Sequence, residues 1–252
     1  MSRLFARDQL RHFFLWLTFY LLLSVAAVNI GLALGWSVQA SAAPPLGALA
    51  VVLALYLWRT GIGKRIGLGV PADVPARRVW FHLPLLLLVA LPLAFGFRTD
   101  LAAPVVGAVL AHALFVGFLE EVLFRGMLLQ ALLQKNRPVW AVMVSALTFG
   151  VGHAFSLLIG QGAEDTALQI VNATVVGLIF TLVVMATGNL HAVIVAHVLY
   201  NAVAALARPT DGVVHVVAGA VVLVVYGGWL LYGAGVRDRL RVAPTSSAAR
   251  PR

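Results

Sequence analysis

Phe118-Leu119-Glu120-Glu121-Val122-Leu123-Phe124-Arg125-Gly126 places two acids and a base inside a run of otherwise apolar side chains. At membrane depth such groups cost about 2.5 to 3.5 kcal/mol each even on lenient insertion scales, so they need partners or a water-filled cavity. Helical geometry separates the two acids. Glu121 and Arg125 stand four residues apart on one face and can pair within their own helix, whereas Glu120 is turned about 100° away and has no local partner. A carboxylate left in that position is a candidate general base.

Two further i, i+4 pairs stand on later apolar segments, Phe149 with His153 and His197 with Asn201. With a rise of about 1.5 Å per residue, Glu120 and His153 lie about 22 Å inward from the loop of Lys135 to Pro138, so adjacent antiparallel helices would bring them to one depth. An unpaired Glu, two His and an Asn on three helices supply a base, a proton shuttle and hydrogen-bond donors for an oxyanion. His12, His82, His112, His191 and His215 lack such company and are read as packing residues.

The elements that must hold these residues are apolar almost from end to end. The 252 residues are 62% hydrophobic and 11% charged, with a mean hydropathy of +0.97, against about 25% charge in a soluble domain. A bilayer core needs roughly 20 apolar residues in a helix, and about eight segments meet or approach that length. They run from Phe13 to Trp36, Pro45 to Trp58, Val79 to Phe97, Leu101 to Leu133, Val139 to Ile159, Ala167 to Thr187, Leu190 to Leu206 and Val213 to Tyr232. The second and seventh are short. The expectation is therefore an all-α, polytopic membrane helical bundle, a single membrane domain over 1–252, with a Ser, Ala, Pro and Arg tail over 243–252 expected to be disordered.

Loop charges orient the bundle. Lys and Arg gather on the cytoplasmic side of short loops. With the N-terminus inside, the outer loops hold only Arg98 and Arg208, and both termini are cytoplasmic. The formal charge of +9 is explained in this way, without nucleic acid as a partner. No cysteine is present, which excludes disulfides, thiolate ligands and a cysteine nucleophile. The first segment is too long for the apolar part of a cleaved signal and is kept as an anchor. Gly31 and Gly35 form a GxxxG pattern suited to close helix approach, while the glycines of Gly61 to Gly69 precede no strand and helix unit of a phosphate loop.

Taken together and in order, Glu120-Glu121-x-x-x-Arg125, Phe149-x-x-x-His153 and His197-x-x-x-Asn201 on successive apolar helices resemble the CPBP family. This family comprises the CAAX prenyl endopeptidases and the bacteriocin-processing and immunity-type membrane proteases. The resemblance covers about Leu101 to Leu206 and implies a catalytic core over 101–206. It implies an intramembrane endopeptidase in which Glu120 and His153 activate water, His197 and Asn201 stabilise the oxyanion, and Glu121, Arg125 and Phe149 support the site. It further implies a membrane-associated peptide or protein substrate, prenylated in some members, and a bacterial cytoplasmic membrane as the location.

The cofactor stays open at this point. Two His and one Glu are a common catalytic zinc set, which Glu120, His153 and His197 could offer. HExxH is absent, however, and a ligating Glu120 would leave the base unassigned, so catalysis without a metal is favoured. GxSG and GxGD are absent as well, which disfavours serine and aspartate intramembrane mechanisms. Two other classes fit some of the residues. A scaffold or immunity factor would keep them for helix packing; a proton-linked transporter would use buried Glu, Arg and His, but no matched internal repeats support it.

Overall fold

The computed structural model describes residues 1–69, 80–135, 137–209, 212–233 and 235–241; the tail expected to be disordered lies outside them. Among the described residues six helices are long and apolar enough to cross a membrane: α1 (Gln9–Ala33), α2 (Val38–Thr60), α4 (Ala103–Leu133), α5 (Pro138–Ile159), α6 (Ala163–Thr187) and α8 (Gly212–Gly233). Two shorter apolar helices complete the bundle, α3 (Leu83–Phe95) and α7 (Leu190–Leu206). The architecture is all-α and polytopic, and the protein is an integral membrane protein.

Local chemistry sets most of the ends. Asp8 caps α1 by accepting from the Arg11 N–H at 3.1 Å, and Ser37 caps α2 by accepting from Ala40 N–H at 3.2 Å. Gly61 and Gly188, at φ of 69° and 71°, end α2 and α6 in the left-handed conformation that side chains disfavour. Asn189 then starts α7 at once, its side chain accepting from Ala192 N–H at 3.3 Å.

Two segments differ from their sequence reading. α2 starts seven residues before the expected Pro45, because Pro44 and Pro45 sit within the helix rather than at its start. Their missing N–H groups withdraw the helical donors from the Ala40 and Ser41 carbonyls, close to the start of the helix. The third segment, expected from Val79 to Phe97, begins outside the described residues, runs as a 3₁₀ turn Trp80–His82, an α-helix Leu83–Ala90 and a 3₁₀ stretch Leu91–Phe95 that contains Pro92, and ends at Gly96 with φ 82°. α7 is short, as its apolar run indicates. At 17 residues it spans about 25 Å, less than a bilayer core of about 30 Å.

α4 is the central helix. It packs against α2 on one side and α7 on the other, while α5 pairs with α6. From Val122 to Leu128 it widens into a π-helical stretch in which all seven residues are buried. Such a bulge disturbs the backbone ladder, and Ser145 Oγ–H from α5 donates to the Phe124 carbonyl at 3.2 Å. Close packing needs glycine at two crossings in particular. A Cβ on Gly117 would lie 2.9 Å from Val198 N, and one on Gly150 would lie 2.8 Å from Ile170 O, so α4–α7 and α5–α6 approach backbone to backbone. Of the GxxxG pair, Gly31 lies against Ser41 of α2, whereas Gly35 forms the turn beyond α1 at φ 80°.

Candidate active site

Three helices carry the ionisable cluster, and a fourth closes it. Glu121 and Arg125 on α4 are both fully buried, with Arg125 Nη1–H donating to Glu121 Oε1 at 2.8 Å. That pairing follows the i, i+4 spacing. The same Glu121 Oε1 also accepts from His197 Nδ1–H of α7 at 2.8 Å. Glu121 therefore orients a histidine on another helix, a link that the sequence could not supply. Arg125 lies with its guanidinium 4.2 Å from the Phe149 ring centre and 5.7 Å from that of Phe180, so aromatic faces offset part of its desolvation.

Glu120 is not without a partner, contrary to expectation. Tyr20 on α1 donates its hydroxyl proton to Glu120 Oε1 at 2.6 Å, and His197 Nε2 lies 3.6 Å from Glu120 Oε2. The separation in sequence hid both. Tyr20 is a hundred positions away in a segment read only as an anchor, and the one available signal was a phenol in an apolar run. A short charge-assisted bond of this kind fixes one carboxylate oxygen and leaves the other toward the histidine.

His153 terminates the regular part of α5, where the helix tightens into the 3₁₀ stretch His153–Ile159. Its Nδ1–H donates to the Phe149 carbonyl at 3.0 Å, and its ring meets the Phe149 ring edge-on at a centroid distance of 5.1 Å. A neutral imidazole that donates from Nδ1 carries its lone pair on Nε2, the form required of a proton acceptor. Phe149 thus touches three members of the cluster, since the His197 ring also packs on it at 5.9 Å.

Glu120, His153, His197 and Asn201 line a common cavity of about 430 Å³, together with Tyr20, His112 and apolar side chains of α1 and α2. A second hollow of about 300 Å³ shares His153, His197 and Asn201 and extends between α6 and α7 past Asn172 and Tyr200 to His215. His112 and His215, expected as packing residues, thus face these hollows. His12 does pack, bonded to the Tyr56 hydroxyl at 2.8 Å, and the exposed His191 bonds the Leu68 carbonyl at 3.0 Å.

Among the described residues no three His, Asp or Glu side chains converge as a metal ion requires. His153 and His197 each bond a protein group through Nδ1 and leave Nε2 toward the cavity, and the phenol takes only one oxygen of Glu120.

The family model for the type II CAAX prenyl endopeptidase, Rce1-like, matches residues 102–203, from the start of α4 through most of α7. The matched segment is similar to the CAAX-type (CPBP) membrane proteases. It holds Glu120, Glu121, Arg125, Phe149, His153, His197 and Asn201, while Tyr20 lies outside it. No curated protein and no solved structure matches the chain. The CAAX-protease family accounts for a membrane-embedded hydrolase acting on peptide or protein substrates.

Proposed function

We propose that this protein is a glutamate-dependent intramembrane endopeptidase that hydrolyses a peptide bond in a membrane-associated protein or peptide. The observation that carries the reading is the sharing of one cavity by Glu120, His153, His197 and Asn201, in a chain whose remaining walls there are largely apolar. Water held beside Glu120 gives up a proton to the carboxylate, with His153 Nε2 as the second acceptor, and attacks the carbonyl carbon. The developing oxyanion receives hydrogen bonds from the Asn201 amide and from His197.

His197 already commits its Nδ1–H to Glu121. To donate from Nε2 as well, the ring must hold both protons. Glu121 at 2.8 Å and Glu120 at 3.6 Å supply the counter-charge for that form. Arg125 keeps Glu121 in place, and Tyr20 keeps Glu120 turned toward the water. Collapse of the tetrahedral intermediate then breaks the C–N bond, and the amine leaves with a proton returned from Glu120 or His153.

Comparative proteomics of membranes carrying the native protein or Glu120→Ala tests the reading. Expected is a set of peptides cleaved only with the native chain, while the variant stays folded and inserted. Full cleavage by Glu120→Ala refutes the mechanism. Metal content and activity in chelator test its metal-free form: retained activity without bound metal is expected, and abolition that zinc restores overturns it.

A further inference from the structure

The hollow between α6, α7 and α8 takes no part in the hydrolytic steps above, yet it shares Phe149, His153, Gln169, His197, Asn201 and Ala204 with the cavity that holds Glu120. Both spaces therefore border one set of side chains. That set includes the two imidazoles and the carboxamide that face the reacting carbonyl. Tyr20 and Glu120 line the first space only, whereas Asn172 and Tyr200 line the second only.

The second space is polar at a depth where polarity is expensive. Asn172 stands nine residues into α6 and Tyr200 ten residues into α7, about 14 and 15 Å along the helix axes. Polar side chains so far from a helix end in lipid mark a partner or a function. Asn172 Nδ2–H donates to the Tyr200 hydroxyl oxygen at 3.2 Å. A phenol that accepts this bond keeps its own proton for another acceptor. Asn172 Oδ1 is buried and accepts no hydrogen bond among the described residues, so the pair has more hydrogen-bonding capacity than the contact of α6 with α7 consumes. Tyr200 follows His197 by three positions and directly precedes Asn201, and all three line this space.

An extended peptide supplies what the pair lacks. Its carbonyl groups are acceptors for the phenol, and away from water they need such a donor. Two residues of extended chain reach about 7 Å, which matches the width of a space of about 300 Å³.

We infer that the space between α6, α7 and α8 is a substrate subsite. The peptide lies across the wall of His153, His197 and Asn201, with one flank of the cleaved bond beside Tyr20 and Glu120 and the other held by the Tyr200 hydroxyl. Asn172 acts through Tyr200 by fixing its phenol, and is a positioning residue. The inference rests on the protease reading and adds to it a residue that binds substrate away from the reacting atoms.

Substrate truncation reads the subsite. Bonds cut in membranes with the native chain and left intact with Glu120→Ala supply the sequences, and synthetic peptides spanning one such bond are shortened from one end or the other. Tyr200→Phe is expected to raise KM for the full peptide about two- to tenfold, the worth of one hydrogen bond, with a smaller change in kcat. Shortening one flank is expected to raise KM for the native chain by that same factor more than for Tyr200→Phe, because the variant has already lost the contact. Shortening the other flank should affect both proteins alike. Asn172→Leu is expected to show the same pattern more weakly, and Asn172→Leu combined with Tyr200→Phe to match Tyr200→Phe alone. A native KM for Tyr200→Phe, or equal effects of each truncation on both proteins, overturns the subsite. A bond that merely fastens α6 to α7 would lower the unfolding midpoint and couple to neither flank, which also overturns it. Absence of any bond cut by the native chain and spared by Glu120→Ala is a separate result, which removes the protease reading and the subsite with it.

Discussion

Arg125→Met removes the cation from a pair in which neither side chain is exposed to solvent. Methionine replaces much of the apolar stem, so the main loss is electrostatic. Glu121 would keep His197 Nδ1–H as its one hydrogen-bond donor, and the 2.8 Å bond from Nη1 and the stack at 4.2 Å on Phe149 would vanish. Breaking a buried pair by deleting one partner costs about 3 to 5 kcal/mol, because the remaining charge is uncompensated. At about 1.4 kcal/mol per tenfold, the folding equilibrium falls by a factor between roughly 10² and 10⁴. The double variant Glu121→Gln, Arg125→Met removes both charges yet retains a carboxamide oxygen for His197. It is expected to be more stable than Arg125→Met alone by about 2 kcal/mol or more. Reversible unfolding in mixed micelles measures all three proteins. A single variant within about 1 kcal/mol of the native protein, or a double variant no better than the single, would refute this account of the pair.

Three other substitutions probe separate parts of the site. Tyr20→Phe deletes the 2.6 Å bond to Glu120 and is expected to lower kcat about tenfold or more, the equivalent of a bond to a charged group; KM should barely move, and steady-state kinetics on any identified peptide would show the split. Asn201→Ala should lower kcat by about 10² to 10³ while the unfolding midpoint stays near native, as for loss of an oxyanion donor. Gly150→Ala forces a methyl group to within 2.8 Å of the Ile170 carbonyl and against Thr174; spreading α5 from α6 is expected to cost about 1 to 3 kcal/mol, read as a lower unfolding midpoint with unchanged insertion.

Much of the fold was legible because a bilayer imposes a simple rule on composition. Apolar runs of sufficient length must be helices, since lipid offers no partner to an unpaired backbone. The Glu121–Arg125 pair was legible for the same reason, as i, i+4 spacing on a helix fixes the neighbour. Less legible were the ends of α2, where Pro45 read as the start lies inside the helix, and of α3, whose last turn narrows to a 3₁₀ stretch around Pro92.

By itself the chain determined the helical class, the uneven distribution of basic residues and the identity of the polar groups held at depth. Tertiary structure alone decided that Glu121 serves His197, that Tyr20 of α1 serves Glu120, and that Glu120, His153, His197 and Asn201 line one hollow. Periodicity governs only contacts within a helix. Which faces of different helices meet depends on backbone approach at positions such as Gly117 and Gly150, summed over the whole packed bundle, and no local spacing encodes that.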